Sequence, residues 1–260
     1  CDALILDLED AVAADAKVLA RERAVTAAGS SAYGARIVAI RCNGLDTPWG
    51  AQDLVALARA GAGAVVVPKV GGASDVDRYV EALRSSGAPD DLAVWPMVET
   101  PRAVVAAGEI AAHPRVEVLV VGTNDLLLEL RAVAVAGRAP LVAHLAQVVL
   151  HARANGVAVL DGVFNDIGDA DGFAAECRQG VELGFDGKTL IHPSQIEPAN
   201  SAWSPSSAEV AHARRVIETF AAAEAQGQGV ATLDGKMIEN LHVEIARRVL
   251  NADSAEETSR

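Results

Sequence analysis

Seven short runs of nearly continuous apolar sequence, at residues 3–8, 36–42, 64–68, 93–98, 116–121, 157–161 and 188–191, recur along this chain. Between them lie Ala-rich segments with helical periodicity, for example 13–28, 52–60, 74–85, 102–112 and 140–154. A strand with one wet face alternates apolar and polar residues, whereas a strand covered on both faces does not. The pattern therefore predicts a parallel sheet layered with helices. Strand starts recur about every 25–40 residues, the repeat of a (β/α)8 barrel. A doubly wound open sheet competes, but no Gly-rich dinucleotide turn follows any of the runs. Seven strands are one short of a closed barrel. The chain opens inside an apolar run, Ala3-Leu4-Ile5-Leu6, without an initiator Met, so the expectation is a TIM barrel whose first strand is missing from this sequence.

The composition narrows the function. In 260 residues, 51% apolar, 22 Lys and Arg face 35 Asp and Glu, a net charge of −13. So apolar a chain can offset its ordering entropy, which excludes global disorder. The acidic balance argues against nucleic acid, which needs a basic face. No stretch of about 18 uncharged apolar residues suggests a membrane span. Cys1, Cys42 and Cys177 form neither a zinc pattern nor a disulfide framework, and no targeting segment is recognisable; both fit a cytoplasmic protein. The reading divides the chain into a barrel at 1–200, a C-terminal helical extension or lid at 201–251 and a polar tail at 252–260. Ser194-Gln195-Ile196-Glu197 reads as a capping box, 206–225 as an amphipathic helix, 226–229 as a flexible link, and a last helix ends near Leu250.

In parallel α/β folds, chemistry sits at the carboxyl ends of the strands. Those ends here carry Asp7-Leu8-Glu9-Asp10, Arg41-Cys42-Asn43, Pro68-Lys69, Glu99-Thr100, Gly122-Thr123-Asn124-Asp125, Asp161-Gly162 and His192-Pro193. Glu99 and Asp125 end adjacent strands; they suit a Mg²⁺ completed by water and substrate, or else a shared-proton pair or a salt bridge to Lys69 or Arg41. Arg41 and Asn43 share one face of their strand. A guanidinium there suits a carboxylate or an oxyanion, or simply pairs with Glu9 or Asp10. Lys69 reads as an ion-paired structural lysine rather than a Schiff-base nucleophile, because acidic neighbours raise an amine pKa. Cys42 reads as a core thiol and His192 as a hydrogen-bonding residue, while Asp161 and Asp166 either line the pocket or cap helices.

Five motifs, Leu6-Asp7-Leu8-Glu9-Asp10-Ala11-Val12, Arg41-Cys42-Asn43, Met97-Val98-Glu99-Thr100, Gly122-Thr123-Asn124-Asp125-Leu126 and Ile191-His192-Pro193-Ser194-Gln195, resemble in this order the citrate lyase β-subunit and malyl-coenzyme A lyase family. The resemblance covers nearly the whole chain. It implies a barrel that uses Mg²⁺ to cleave or form carbon–carbon bonds in short 3-hydroxyacyl-CoA thioesters, yielding acetyl-CoA or a homologue and a 2-oxo acid. It further implies that Glu99 and Asp125 hold the metal, that Arg41, Asn43 and Asn124 bind substrate, and that Glu9 and Asp10 form an acidic pair beside Arg41. Members form trimers or hexamers. Two departures stand out: the family's first strand, with a basic residue for the coenzyme, is absent, and the lid pattern Gly-x-Met-Ile-Asp reads Gly235-Lys236-Met237-Ile238-Glu239, making Glu239 the candidate lid acid. The apolar residues Met237, Ile238, Leu241 and Ile245 suggest that 227–250 docks on an adjacent subunit. Alternatives are a malyl-CoA thioesterase, a metal-dependent aldolase on small 2-oxo acids, a subunit acting only on carrier-bound thioesters inside a larger complex, and a barrel that binds without catalysing.

Overall fold

The computed structural model describes residues 1–259, with side chains described as far as Asp253. Two compact units divide at Ala199 and Asn200.

The first unit alternates strands and helices: β1 (Ala3–Asp7), α1 (Lys17–Ala28), β2 (Ile37–Arg41), α2 (Gly50–Leu57), β3 (Ala64–Val67), α3 (Ala73–Ser85) and β4 (Ala93–Val98). It continues with α4 (Pro101–Val105), α5 (Ala107–Ala111), β5 (Val118–Val121), α6 (Thr123–Glu129), α7 (Val142–Asn155), β6 (Ala158–Asp161), α8 (Ala170–Leu183) and β7 (Gly187–Lys188). The strands form one parallel sheet in chain order, β1 to β7, curled as a partial (β/α)8 barrel. As expected there are seven, and the sheet order places β1 and β7 at its two ends. The last strand is shorter than the run at 188–191 implied: pairing covers only Gly187 and Lys188, and Ile191 is 49% exposed. The helix expected at 102–112 breaks into two short helices at Ala106, whose ψ of 3° is not helical.

Side-chain alternation divides the strand residues into two faces. Ala3 and Ile5, Ala39, Ala64 and Val66, Ala93, Trp95 and Met97, Val118 and Val120, and Leu160 meet in one cluster inside the curl. On the opposite face Ile40, Val65, Val94, Val98, Leu119 and Val159 are fully buried beneath the helices. The helices contribute Leu54, Leu57, Leu83, Ile110, Leu126 and Leu145, each nearly inaccessible to solvent; burial of one such side chain stabilises by about 1.5–3 kcal/mol. Local signals set helix ends. Thr100 Oγ1 accepts the Ala103 N–H at 3.0 Å ahead of Pro101, Asp169 caps α8, and Gly156 and Gly184 end α7 and α8 in left-handed conformations.

One consequence of the alternation is that Asp161, next to the inward Leu160, joins a buried ion network instead of lining the cavity. Arg138 Nη1 lies 2.7 and 2.9 Å from the two Asp161 oxygens. Lys188, its side chain fully buried, lies 3.2 Å from Asp161 and 2.7 Å from Glu176, and donates to the Gly162 carbonyl. Asp166 is exposed, and its side chain accepts a local turn hydrogen bond from the Gly168 N–H.

The second unit begins within α9 (Ile196–Trp203), which the His192 side chain and Gln195 introduce in place of the expected Ser194 box. It comprises α10 (Ser207–Glu224), the antiparallel hairpin β8 (Ala231–Leu233) and β9 (Lys236–Ile238), and α11 (Asn240–Ser259). Ser206 and Glu209 form a full capping box for α10. Asp234 and Gly235, at φ 51° and 76°, make the two-residue hairpin turn. Val216, Phe220, Ile238, Val243 and Ala246 form the unit's own core. Of the apolar residues expected to face a partner, Ile238 belongs to that core, while Met237, Leu241 and Ile245 are 60, 51 and 54% exposed. The last helix runs beyond Leu250, where a polar tail was expected. Among the described residues no helix is long and apolar enough to cross a membrane.

The ion network yields a stability prediction. Lys188→Ala removes one buried cation from two buried carboxylates, so it should cost about 3 kcal/mol or more, read as a lowered urea midpoint with unchanged slope. A midpoint equal to that of the parent would refute it.

Candidate active site

The inward stripes of the sheet are apolar until the rim and then turn polar. Two residues beyond Ile5 comes Asp7, beyond Ala39 comes Arg41, beyond Met97 comes Glu99, and beyond Val120 comes Gly122. In the β1–β2 register Asp7 lies opposite Arg41. Arg41 Nε and Nη2 donate to the two Asp7 oxygens, both at 2.6 Å. Arg41 Nη1 lies 3.0 Å from Glu9 Oε2, without hydrogen-bond alignment, 3.5 Å from Met97 Sδ and 4.0 Å from Asp10. Arg41 thus does pair with Glu9, as its alternative reading held. Its main partner, however, is Asp7, a residue to which the sequence reading gave no role.

The stretch carrying Glu9 and Asp10 is fixed from two sides. Asp7 accepts the N–H of Glu9 at 2.9 Å and of Ala11 at 3.0 Å. Lys17, buried at the start of α1, donates to the carbonyls of Leu8 at 2.8 Å and Glu9 at 2.7 Å, and to Asn43 Oδ1 at 2.8 Å. Its ammonium also sits 5.2 Å from the centroid of the Trp49 ring. Asn43 is 2% exposed; its amide hydrogens go to the Leu8 carbonyl and to Asp53, itself held by Arg21 at 2.6 Å. The expectation that Asn43 binds substrate is therefore revised: with both donors spent internally, it orders the rim. Cys42 is a buried thiol, pushed up by desolvation and by the charges of Asp53 and Glu9.

Across the sheet, Glu99 is 1% exposed and its Oε1 accepts the Lys69 backbone N–H at 2.7 Å. Lys69 adopts a left-handed φ of 51°, a strained conformation for a side-chain-bearing residue that aims this N–H at the carboxylate. Its own side chain is exposed and, among the described residues, makes no salt bridge, so the ion-paired lysine of the sequence reading becomes a free ammonium over an acidic surface. Burial opposes the charge on Lys69, but Asp125, Glu9, Asp10 and Glu99 outweigh it and raise the amine pKa, leaving the amine protonated rather than nucleophilic. Asp125 and Asn124 come from the first turn of α6; the exposed Asn124 exchanges hydrogen bonds with Asn165 at 2.7 and 3.2 Å. His192 is exposed and caps the turn at Ser194.

Desolvation pushes Glu9 and Glu99 each up to about 7. Asp10 adds to the rise at Glu9, and Glu9 and Asp125 add to it at Glu99, while Arg41 opposes both. Burial also acts on Asp7, but Arg41 and two backbone N–H groups hold it below its usual value. Five carboxylates thus surround two cations, Arg41 and Lys69.

No group of three or more His, Cys, Asp and Glu side chains able to hold a metal occurs among the described residues. The donor set suits a hard cation that keeps water and substrate as ligands, because Glu99 and Asp125 supply two carboxylates in an electronegative pocket. Gly122 leaves room for one of them: a Cβ there would lie 2.6 Å from Glu99 Oε2 and 2.5 Å from its Cβ. Glu239 lies in the second unit between β9 and α11, half-buried, its N–H donating to His242 Nδ1 at 3.1 Å.

Residues 1–193 match the model of the HpcH/HpaI aldolase/citrate lyase family. The chain belongs to that family. It is 47% identical to the (3S)-malyl-CoA thioesterase of Cereibacter sphaeroides over 249 residues, 96% of this chain and 85% of that protein. It is 36% identical to the citrate lyase subunit beta of Escherichia coli over 256 residues, with the same coverage of each. Among solved structures it is similar to the protein CitE from Mycobacterium tuberculosis in complex with magnesium, acetoacetate and coenzyme A, at a TM-score of 0.77 and 31% identity, over 98% of this chain and 90% of that one. The family is of aldolase and lyase type.

The raised carboxyls predict a pH response in the presence of chelator. A carboxyl whose folded pKa exceeds its unfolded value of 4.5 binds protons more tightly when folded, so its contribution is full below about 4.5 and lost as pH rises through about 7. Urea midpoints should fall between pH 5 and pH 7.5, and Glu9→Gln should flatten part of that slope. A midpoint that climbs over this range would contradict the assignment.

Proposed function

We propose that this chain acts, with Mg²⁺, on short 3-hydroxyacyl-CoA thioesters of the malyl-CoA, citramalyl-CoA or citryl-CoA kind, cleaving or forming the carbon–carbon bond to a 2-oxo acid, and that it works as a homo-oligomer. The observation that carries this reading is the convergence of Arg41, Glu9, Glu99 and Asp125 on one polar rim in a family whose relatives include a magnesium- and coenzyme A-bound structure. Glu99 and Asp125 would hold the ion, which supplies Lewis-acid charge and a template for a chelating hydroxy or oxo acid.

The chain's own residues divide the proton and charge work. Glu9, held near neutrality, takes the substrate hydroxyl proton in the cleavage direction. The electron pair of the breaking carbon–carbon bond passes to the thioester, and Arg41 Nη1 donates to the oxygen on which charge develops. Asp10 keeps the surroundings of Arg41 acidic, Asn124 borders the rim as a polar contact for substrate, and Glu239 of an adjacent copy of the chain is proposed as the acid that returns a proton to the enolate carbon.

A second reading, hydrolysis of the same thioester, draws on the 47% identity to a malyl-CoA thioesterase. One incubation with malyl-CoA and Mg²⁺ separates the two: bond cleavage releases glyoxylate and acetyl-CoA without free thiol, whereas hydrolysis releases malate and one equivalent of free CoA thiol. Chelator should abolish either product and Mg²⁺ restore it. Absence of both products from well-folded protein would sink the proposal.

Gly122→Ala tests the metal assignment separately. Gly122 has φ −101° and ψ 85°, open to other residues, so its smallness and not its flexibility is what Glu99 requires. The added methyl should displace the Glu99 carboxylate and weaken Mg²⁺ binding by about 10-fold or more, measured by calorimetry, with the circular dichroism of the parent. Unchanged affinity would remove Glu99 from the metal.

A further inference from the structure

Asp7 is the one carboxylate on the rim whose bonding capacity is fully used. An ionised carboxyl offers about four acceptor sites. Asp7 fills four, with the Glu9 and Ala11 N–H groups and with Arg41 Nε and Nη2. Glu9, two residues on, keeps an Oε2 without a hydrogen-bond partner, and the Asp10 side chain is 61% exposed. Asp7 therefore has nothing left for a metal, a proton or a substrate. It does determine where two groups that have something left are held. Taking the Nε–Nη2 side of the guanidinium turns Nη1 towards Glu9 Oε2, 3.0 Å away. Taking the N–H groups of Glu9 and Ala11 fixes the backbone that carries this Glu9 carboxylate.

We propose that Asp7 is the positioning residue of this site, a single carboxylate that sets the direction of Arg41 and the placement of Glu9 together. This rests on the reading that thioester chemistry occurs at the rim. The geometry distinguishes Asp7 from an ordinary surface ion pair: it lies on the inward stripe, both partners are below one-fifth exposed, and the grip is two-point with short bonds. Lys17 secures the carbonyls of the same stretch from the other side, so removal of Asp7 frees the guanidinium and the N–H groups while the stretch stays attached.

The test uses Asp7→Ala and Asp7→Asn in the full chain. In Asp7→Asn the amide puts a donor where a donor already points, so the fork opens without a cavity. The expected result is a kcat lowered about 100-fold with KM within about threefold, because a misdirected oxyanion donor is felt in the transition state and not in substrate binding. A purely structural role would instead lower the urea midpoint and leave kcat per folded molecule unchanged. An activity-free readout is the Arg41 Nε–H NMR signal, assigned by its loss in Arg41→Lys. It should be protected from solvent exchange in the parent and exchange rapidly in both Asp7 variants, with no substrate present. Parental kcat in both variants, or an Nε–H signal equally protected in them, would overturn the proposal. If the parent turns over no thioester yet its Nε–H protection depends on Asp7, the positioning role stands and the substrate reading falls; an unprotected signal in the parent overturns the positioning role.

Discussion

The parallel register between β1 and β2 is the constraint on which the site depends. It sets Asp7 directly across from Arg41 at the last paired position of both strands. Shifted by one residue, either strand would turn its polar end into the helix layer, because side chains alternate with a period of two. The inward cluster enforces the register: Ala3 and Ile5 pack with Ala39 and Trp95 on the same stripe that ends in Asp7, Arg41 and Glu99. Packing a few residues below the rim thus directs the chemistry above it.

The rim carries two charge clusters with opposite accounts. Asp161 and Glu176 are matched by Arg138 and Lys188, two carboxylates to two cations, between the sheet and the surrounding helices. Inside the curl, Asp7, Glu9, Asp10, Glu99 and Asp125 outnumber the cations that act on them, Arg41 and Lys69. A balanced buried network holds a fold together; an unbalanced one raises the pKa of its own carboxyls and favours an added cation. Desolvation, with the unmatched negative charge adding to it, is thus the physical basis for the two raised carboxyls, and the same excess of charge suits a hard cation.

Much of this was legible in the sequence. Unbroken apolar runs identified the parallel strands, and a rule of parallel folds pointed to their carboxyl ends, so Glu9, Asp10, Arg41, Glu99 and Asp125 stood out as candidates without coordinates. What was missed depends on register and side-chain parity. Asp7 and Asp10 are alike in sequence, and only the pairing of β1 with β2 makes the former the partner of Arg41. Asp161 ends an apolar run as Glu99 does, yet its neighbour Leu160 takes the inward position and sends it outward. Asn43 shares the parity of Arg41, but the buried Asp53 and Lys17, from two different helices, claim its amide. Lys17 itself gave no signal, since a lysine opening an Ala-rich helix reads as solvated. The hairpin at 231–238 was marked only by Asp234-Gly235.

Counting bonds separates residues that build a site from residues that can react in it. Asp7, Asn43 and Lys17 sit as close to the rim as any catalytic candidate, and each is spent on neighbours. Glu9 has an oxygen left over, the Asp10 carboxylate is largely exposed, and Glu99 commits one oxygen to a backbone N–H while glycine clears the space beside the other. Burial alone would rank these residues wrongly, because Asn43 and Glu99 are almost equally hidden. Unspent capacity in a desolvated place is costly to keep. The folded chain tolerates it at Glu9 and Glu99 because two clamped elements, the stretch after β1 and the strained turn at Lys69, leave those carboxyls nowhere else to go.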